Sequence, residues 1–134
     1  MVAIVGLGID SIEIYRFSEW KTFSTLMLQR IFSDEEIGYS LSVTAKSAER
    51  FAVRFAVREA FYKALSSYDP AVSVPFLTVC KRVYVTKEKG VPRLVVDWNL
   101  LKNYNGKEYS LKVHCSLTHN RSIATAVVIL ECIP

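Results

Sequence analysis

Four alanines, Ala52, Ala56, Ala60 and Ala64, recur every fourth residue in the segment ERFAVRFAVREAFYKAL at 49–65. That spacing puts them on one stripe of an α-helix. Alanine favours helix and has almost no side chain, so such a stripe admits the close approach of another backbone. Glu59 and Lys63 are one turn apart and fall about 40° from each other on a helical wheel, at the edge of the stripe. Charges at that seam are partly desolvated, which is costly without a partner or a ligand. A second such feature lies at the N-terminus, where the apolar run VAIVGLGI (2–9) reads straight into Asp10. A strand ending in a carboxylate and a helix carrying a seam glutamate make a candidate two-carboxylate site. Local context also allows a plainer reading, with Asp10 capping the next turn and Glu59 paired with Lys63 at i,i+4.

The chain has 134 residues, 51% hydrophobic and 22% charged, which suits one domain (1–134) with a real core. No apolar run reaches the roughly 18 residues a membrane helix needs, so no membrane segment is expected. The apolar start lacks a basic n-region and is broken by Gly6, Gly8 and Asp10, and it reads as a buried strand rather than a targeting peptide. Cys80, Cys115 and Cys132 lack metal-ligand spacing and are expected as reduced thiols in a cytoplasmic protein. The net charge of +4 and pI of about 9.0 suggest an acidic partner. The chain has no run of Lys/Arg interleaved with aromatics of the kind single-strand binders use.

Residues 2–10 read as a buried strand and 13–28 as a helix. Ser33 followed by Glu36 is a capping-box signature opening a short helix. Thr44 or Ser47 is a candidate cap for the long helix, which is expected to run to about Ser66. A turn-rich stretch, 67–75, precedes four strand-like segments at 76–86, 92–97, 109–117 and 123–132. The Gly-containing KEKGVP (87–92) signals a hairpin. The segment at 122–131 is apolar enough to be a central strand. Helices early and antiparallel strands late imply an α+β domain.

The blocks GLGIDSIEIYRF (6–17), RIFSDEE (30–36), RFAVRFAVREAFYKAL (50–65), GVP (90–92) and HCSLTH (114–119) resemble, in order and spacing, the short bacterial-type holo-acyl-carrier-protein synthases. These are 4′-phosphopantetheinyl transferases, and the likeness covers nearly the whole chain. It implies the 4′-phosphopantetheinyl transferase fold, assembled as a homotrimer. The implied reaction moves phosphopantetheine from coenzyme A to a serine of apo-acyl carrier protein, for fatty acid biosynthesis, and leaves adenosine 3′,5′-bisphosphate. Such chemistry needs developing phosphate charge neutralised and the attacking oxygen aligned. Mg²⁺ suits the first task because it takes one or two carboxylates and keeps waters and substrate phosphates in its shell.

By the resemblance, Asp10 and Glu59 are the metal-binding pair and Lys63 lies near the pyrophosphate. Gly6 and Gly8 share Asp10's face of the strand and would leave room for a ligand. Arg54 lies on the far side of the helix from Glu59; the resemblance has it reach the 3′-phosphate of coenzyme A from a neighbouring subunit, whereas taken alone it reads as a solvated arginine. Gly90 and Pro92 match a hairpin lying against the adenosine. His114 and Ser116 match a strand end close to the nucleotide, and His119 orders that turn. No G-x-S-x-G elbow surrounds Ser116 to suggest a hydrolase. Arg16 matches a docking arginine for the acidic carrier protein, with Lys21 and Arg30 as helpers. Three positions depart from the family pattern: Arg58 stands where lysine is commoner, Thr118 replaces a serine, and residues 66–75 lack the usual glycine after the helix. The rival readings are a non-catalytic coenzyme A-binding domain of the same fold and a nucleic-acid-binding domain.

Overall fold

A computed structural model of the chain describes residues 3–71, 74–105 and 108–133. Strand β1 (Ala3–Glu13) opens the fold; Val2, the expected first residue of that strand, lies outside the described residues. Helices α1 (Thr25–Leu28), α2 (Asp34–Leu41), α3 (Ser47–Tyr68) and α4 (Phe76–Cys80) follow. Strands β2 (Val83–Glu88) and β3 (Val91–Val96), helix α5 (Trp98–Asn105), and strands β4 (Leu111–His119) and β5 (Ile123–Cys132) complete it. β1, β5 and β4 form an antiparallel sheet in that order, with β5 central as its apolar sequence implies; β2 and β3 form a separate hairpin. The α+β class is therefore as expected. Among the described residues, no helix is long and apolar enough to cross a membrane.

The centre of the molecule is the crossing of α3 over β1. Ala52, Ala56, Ala60 and Ala64 are all fully buried, and the backbone they admit is that of Gly6 and Gly8. A Cβ on Gly8 would overlap the Ala60 carbonyl oxygen and stand 2.7 Å from the Ala64 nitrogen. One on Gly6 would come 2.5 Å from the Ala64 carbonyl oxygen. The glycines therefore do not leave room for a ligand, as the sequence suggested; the helix fills that room. β5 backs the same contact with Ala124, Ala126, Val128 and Leu130, all buried.

Residues 13–28 do not form one helix. They wind through two 3₁₀ turns, Ile14–Phe17 and Trp20–Thr22, before the single turn of α1, whose first N–H groups are capped by Ser24 (Met27 N to Ser24 Oγ, 3.2 Å). The irregular path serves aromatic packing. Trp20 lies 4.5 Å from Phe17, 5.5 Å from Phe23 and 6.0 Å from Phe55 of α3, ring centre to ring centre. Tertiary burial of large rings has overridden local helix preference here. The expected strand at 76–86 starts as helix α4, and its last turn leads into β2 at Val83. α5 was not anticipated, although Asp97 marks its start by accepting a hydrogen bond from Leu100 N at 3.0 Å. Neither Thr44 nor Ser47 caps α3, which is entered from a 3₁₀ turn, Thr44–Lys46, and continues to Tyr68. Of the turn-rich stretch after it, Val72 and Ser73 lie outside the described residues.

The capping box at Ser33 and Glu36 forms as read, with Ser33 N to Glu36 Oε1 at 2.9 Å and Glu36 N to Ser33 Oγ at 3.2 Å. Glu36 then does more than cap. Its carboxylate meets the fully buried Arg58 side on, at 2.6 and 2.9 Å. Arg58 also donates to the carbonyls of Cys80 (3.2 Å), Arg54 (3.2 Å) and Val83 (3.0 Å), so all five of its N–H groups are used. Burial alone would raise the pKa of Glu36. The hydrogen bonds and charge of Arg58, with the backbone N–H groups of Ser33 and Val85, outweigh it and hold that carboxyl below the usual range. A lysine could not make this fork, so the departure at position 58 ties α2, α3, α4 and β2 together.

Gly8→Ala is expected to force β1 away from α3, lowering the thermal midpoint and misplacing Asp10 two residues on. Gly90→Ala should be far milder, since a Cβ there meets nothing within 4 Å, although its φ of +79° still carries some strain. Thermal melts of the two variants side by side check the contrast; equal losses would contradict the close-approach account.

Candidate active site

The β1–α3 crossing carries Asp10 to the seam of the helix. The Lys63 ammonium donates to Asp10 Oδ1 at 3.1 Å and to the Ile9 carbonyl at 3.1 Å. The Glu59–Lys63 pair of the plainer reading is thus not the contact made: Lys63 reaches across to the strand, because the strand lies so close that its carboxylate and carbonyl are better placed than Glu59. The Asp10 side chain is mostly buried and that of Lys63 half exposed (13% and 53%), so the pair lies at the solvent-reached edge of the crossing rather than in the core.

Glu59 stands beside them without an ion-pair contact of its own among the described residues. Burial, and then the negative charge of Asp10, push its pKa up; Lys63 and Arg16 pull the other way without cancelling that. Two carboxylates close enough to oppose each other's ionisation, one partly desolvated, form a site that gains by taking up a cation. Among the described residues no three His, Cys, Asp or Glu converge, so this pair is what the chain could offer a cation here. That donor set fits Mg²⁺, which keeps most of its shell for water and phosphate. Arg16 is exposed, 3.7 Å from Glu13, and close enough to bias Glu59.

Arg54 lies elsewhere, on the other side of α3. It is not a solvated arginine: only 7% of it is exposed. It lines a cleft of about 300 Å³ with Tyr39, Lys46, Glu49, Arg50, Lys87, Pro92 and His119, among others. The structure therefore brings Arg54 and Pro92 together. Gly90 sits at the tip of the adjoining hairpin, where Lys89 (φ 52°) and Gly90 (φ 79°) are both left-handed, as a two-residue type I′ turn between the paired Glu88 and Val91 requires. His119 also faces this cleft, its Nδ1 3.6 Å from Glu49 Oε2. Nothing in the sequence pointed Tyr39, Arg50 and Lys87 to this cleft, because three different elements supply them.

His114 and Ser116 occupy a third place. Cross-strand rows run Leu7–Ile129–His114, Ile9–Val127–Ser116 and Ser11–Thr125–Thr118 across β1, β5 and β4. Since Gly6, Gly8 and Asp10 face α3, these rows face away from it. His114 is partly exposed and 3.4 Å from Glu131. Within one chain neither residue joins Asp10 and Glu59. Arg30 lines another cleft, with Leu26, Leu77, Lys81 and Arg82, while Lys21 lies within the second 3₁₀ turn. All three cysteines are free thiols, as expected; burial pushes Cys80 up to about 12, which makes it unreactive.

Comparison with known proteins agrees with this fold. Residues 6–128 match the 4′-phosphopantetheinyl transferase superfamily. The holo-[acyl-carrier-protein] synthase of Treponema denticola is 38% identical over 129 residues, covering 96% of this chain and 98% of that protein. The solved acyl carrier protein synthase of Mycobacterium tuberculosis superposes with a TM-score of 0.71 at 30% identity, over 98% of this chain and 100% of that one. A holo-(acyl-carrier-protein) synthase of Bacillus anthracis in complex with CoA (3′,5′-ADP) gives a TM-score of 0.72 at 26% identity, over 97% and 98%. The chain belongs to the 4′-phosphopantetheinyl transferase superfamily.

Because its folded pKa is raised, Glu59 favours the fold while protonated, and that contribution is lost as pH rises through the raised value. At neutral pH, without divalent cation, Glu59→Gln should therefore melt no lower than the parent and at a higher temperature if the strain is fully relieved. Below about pH 4, where the parent's Glu59 is also neutral, the two should coincide. A variant markedly less stable than the parent at pH 7 would mark Glu59 as a structural partner instead.

Proposed function

We propose that this chain transfers the 4′-phosphopantetheine group from coenzyme A to a serine hydroxyl of apo-acyl carrier protein, in the cytoplasm, to supply holo-carrier protein for fatty acid biosynthesis. The observation that carries the reading is the meeting of Asp10, Glu59 and Lys63 at the β1–α3 crossing in a chain that matches the superfamily over residues 6–128. The Treponema relatives named as holo-[acyl-carrier-protein] synthases and the CoA (3′,5′-ADP) complex of the Bacillus anthracis protein support the same substrates. Neither a purely binding role nor a nucleic-acid role has an observation in its favour.

In the reaction the serine oxygen bonds to the phosphorus that carries pantetheine, and the bond from that phosphorus to the bridging oxygen breaks. Adenosine 3′,5′-bisphosphate leaves with the electron pair. Asp10 and Glu59 would together hold Mg²⁺, which when bound neutralises pyrophosphate charge. Lys63, tethered to Asp10 and the Ile9 carbonyl, presents its ammonium to the same oxygens and stabilises the departing phosphate. The serine proton passes to a water held against the two carboxylates. Asp10→Asn and Glu59→Gln keep shape and remove one charge each. Incubated with coenzyme A, magnesium and apo carrier protein, the parent should add the mass of phosphopantetheine. Each variant should lose about two to four orders of magnitude in turnover, and the double variant little more than the worse single. Near-normal turnover of either single variant at low magnesium would remove that residue from the site.

The working form is a homotrimer with active sites between subunits. Two features support this. Arg54 and the carboxylates lie on opposite sides of α3, so one donor molecule can meet both kinds of residue only where two chains adjoin. The outer sheet face also leaves Leu7 and Ile9 56% and 60% exposed, in rows that include His114 and Ser116, a contiguous apolar face of the kind oligomers cover. Light scattering should give three times the chain mass; a fully active monomer would refute the arrangement.

Carrier docking falls to the exposed Arg16, with Lys21 and Arg30. Charge complementarity sets encounter rate and register more than coenzyme A affinity. Arg16→Glu should raise the KM for carrier protein steeply, with coenzyme A binding by calorimetry little changed and the parent's rate falling with salt. Unaltered carrier KM would dismiss this docking face.

A further inference from the structure

The densest unspent charge outside the carboxylate pair surrounds Tyr39. The guanidinium carbon of Arg50 lies 4.0 Å from the Tyr39 ring centre, that of Arg54 4.5 Å, and the Lys87 ammonium nitrogen 4.7 Å. Each cation is attracted to the negative face of the ring, so one phenol holds together three groups that repel one another. Further bonds fix the set. Arg50 donates to the Tyr39 carbonyl at 2.8 Å and to Ser42 Oγ at 3.1 Å. Lys87 donates to the Tyr39 hydroxyl at 3.0 Å, the largest of the effects that hold the phenol pKa below its ordinary value.

Arg54 is the least satisfied member. It is more than nine-tenths buried, and it donates to the Arg50 carbonyl at 3.2 Å, yet its Nε–H has no partner. An unpaired buried donor on a charged group is costly unless a ligand completes it. The acids nearby do not do so. Glu36 is committed to Arg58, Glu35 bonds Thr86 Oγ1 at 3.3 Å, and Glu49 faces His119. Lys46, Arg50, Arg54 and Lys87 thus line the cleft with Glu49 as the one carboxylate among its lining residues. A compact dianion, a phosphate monoester, matches this count and the planar donors of arginine.

We propose that Tyr39 is a positioning residue for the donor substrate, holding Arg54 and Lys87 as a preset receptor so that the enzyme prefers a nucleotide donor bearing a phosphate monoester over one without it. This rests on the coenzyme A reading above. The resemblance gave a role to Arg54 alone; Tyr39, Arg50 and Lys87 enter through the geometry of this chain.

Steady-state transfer is measured with coenzyme A and with 3′-dephospho-coenzyme A, and binding of adenosine 3′,5′-bisphosphate and of 5′-AMP is measured by calorimetry. Tyr39→Leu should raise the KM for coenzyme A about tenfold with kcat little changed, and leave the KM for the dephospho donor as it was. Tyr39→Phe keeps the ring and should shift less. Lys87→Met, at an exposed position, should reproduce the selective loss and serves if Tyr39→Leu does not fold. In calorimetry the preference for the bisphosphate over AMP should shrink in the same variants. A purely structural Tyr39 would move both donors alike; that result, or unchanged selectivity in Tyr39→Leu and Lys87→Met, overturns the proposal. A parent that transfers from neither donor would instead defeat the coenzyme A reading, with the calorimetric preference still deciding the role of Tyr39.

Discussion

The site depends on how closely one strand approaches one helix. Gly6 and Gly8 bring the backbone of β1 against the carbonyls of Ala60 and Ala64, a separation that a Cβ on either glycine would not allow. That contact sets the depth and register of β1 on α3, and therefore where Asp10 falls relative to Glu59 and Lys63. The outcome is a carboxylate tied to a lysine on the helix, next to a second carboxylate that burial and like charge keep reluctant to ionise. On the reading proposed above, a cation bound between the two carboxylates would relieve this electrostatic tension.

The rest of the core holds α3 in place for that crossing. Midway along α3, Arg58 spends five N–H groups on Glu36 and three carbonyls. Along its flank, Phe51 and Phe55 meet the aromatic wrap of Phe17, Trp20 and Phe32. A buried ion pair is weak evidence of net stability, since desolvation offsets much of the attraction. Its value here is directional: the fork permits one arrangement of α2, α3 and β2, and the Tyr39 cleft is built where those elements meet.

α3 consequently divides the candidate site residues. Asp10, Glu59 and Lys63 lie on the strand side, the cluster around Arg54 on the hairpin side, and His114 and Ser116 on the outer face of the sheet. On the proposed reading, a single chain holds the parts of a donor site without joining them. In the trimer proposed above, the exposed Leu7 and Ile9 and the half-buried Val127 and Ile129 beside them would form the apolar surface on which neighbouring chains bring these parts together.

Much of this was legible in the residues alone. The alanine period announced a close helix–backbone contact, Ser33 and Glu36 announced a cap, and the run at 122–131 announced a central strand, because each rests on short-range chemistry. Asp10, Glu59 and Lys63 stood out as charges at apolar seams, and the family motifs named the same three. Pairing was another matter. That Lys63 answers Asp10 rather than Glu59, that the glycines make room for a helix and not a ligand, and that Arg58 and Arg54 are buried all depend on contacts between residues far apart in the chain. So do the 3₁₀ path of residues 14–22, drawn out of helix by large rings, and the gathering of Arg50, Arg54 and Lys87 on Tyr39. Local sequence determined which groups carry charge and which faces must be buried. Only the tertiary structure decided which charge meets which, because that choice follows from the distance at which two backbones come to rest.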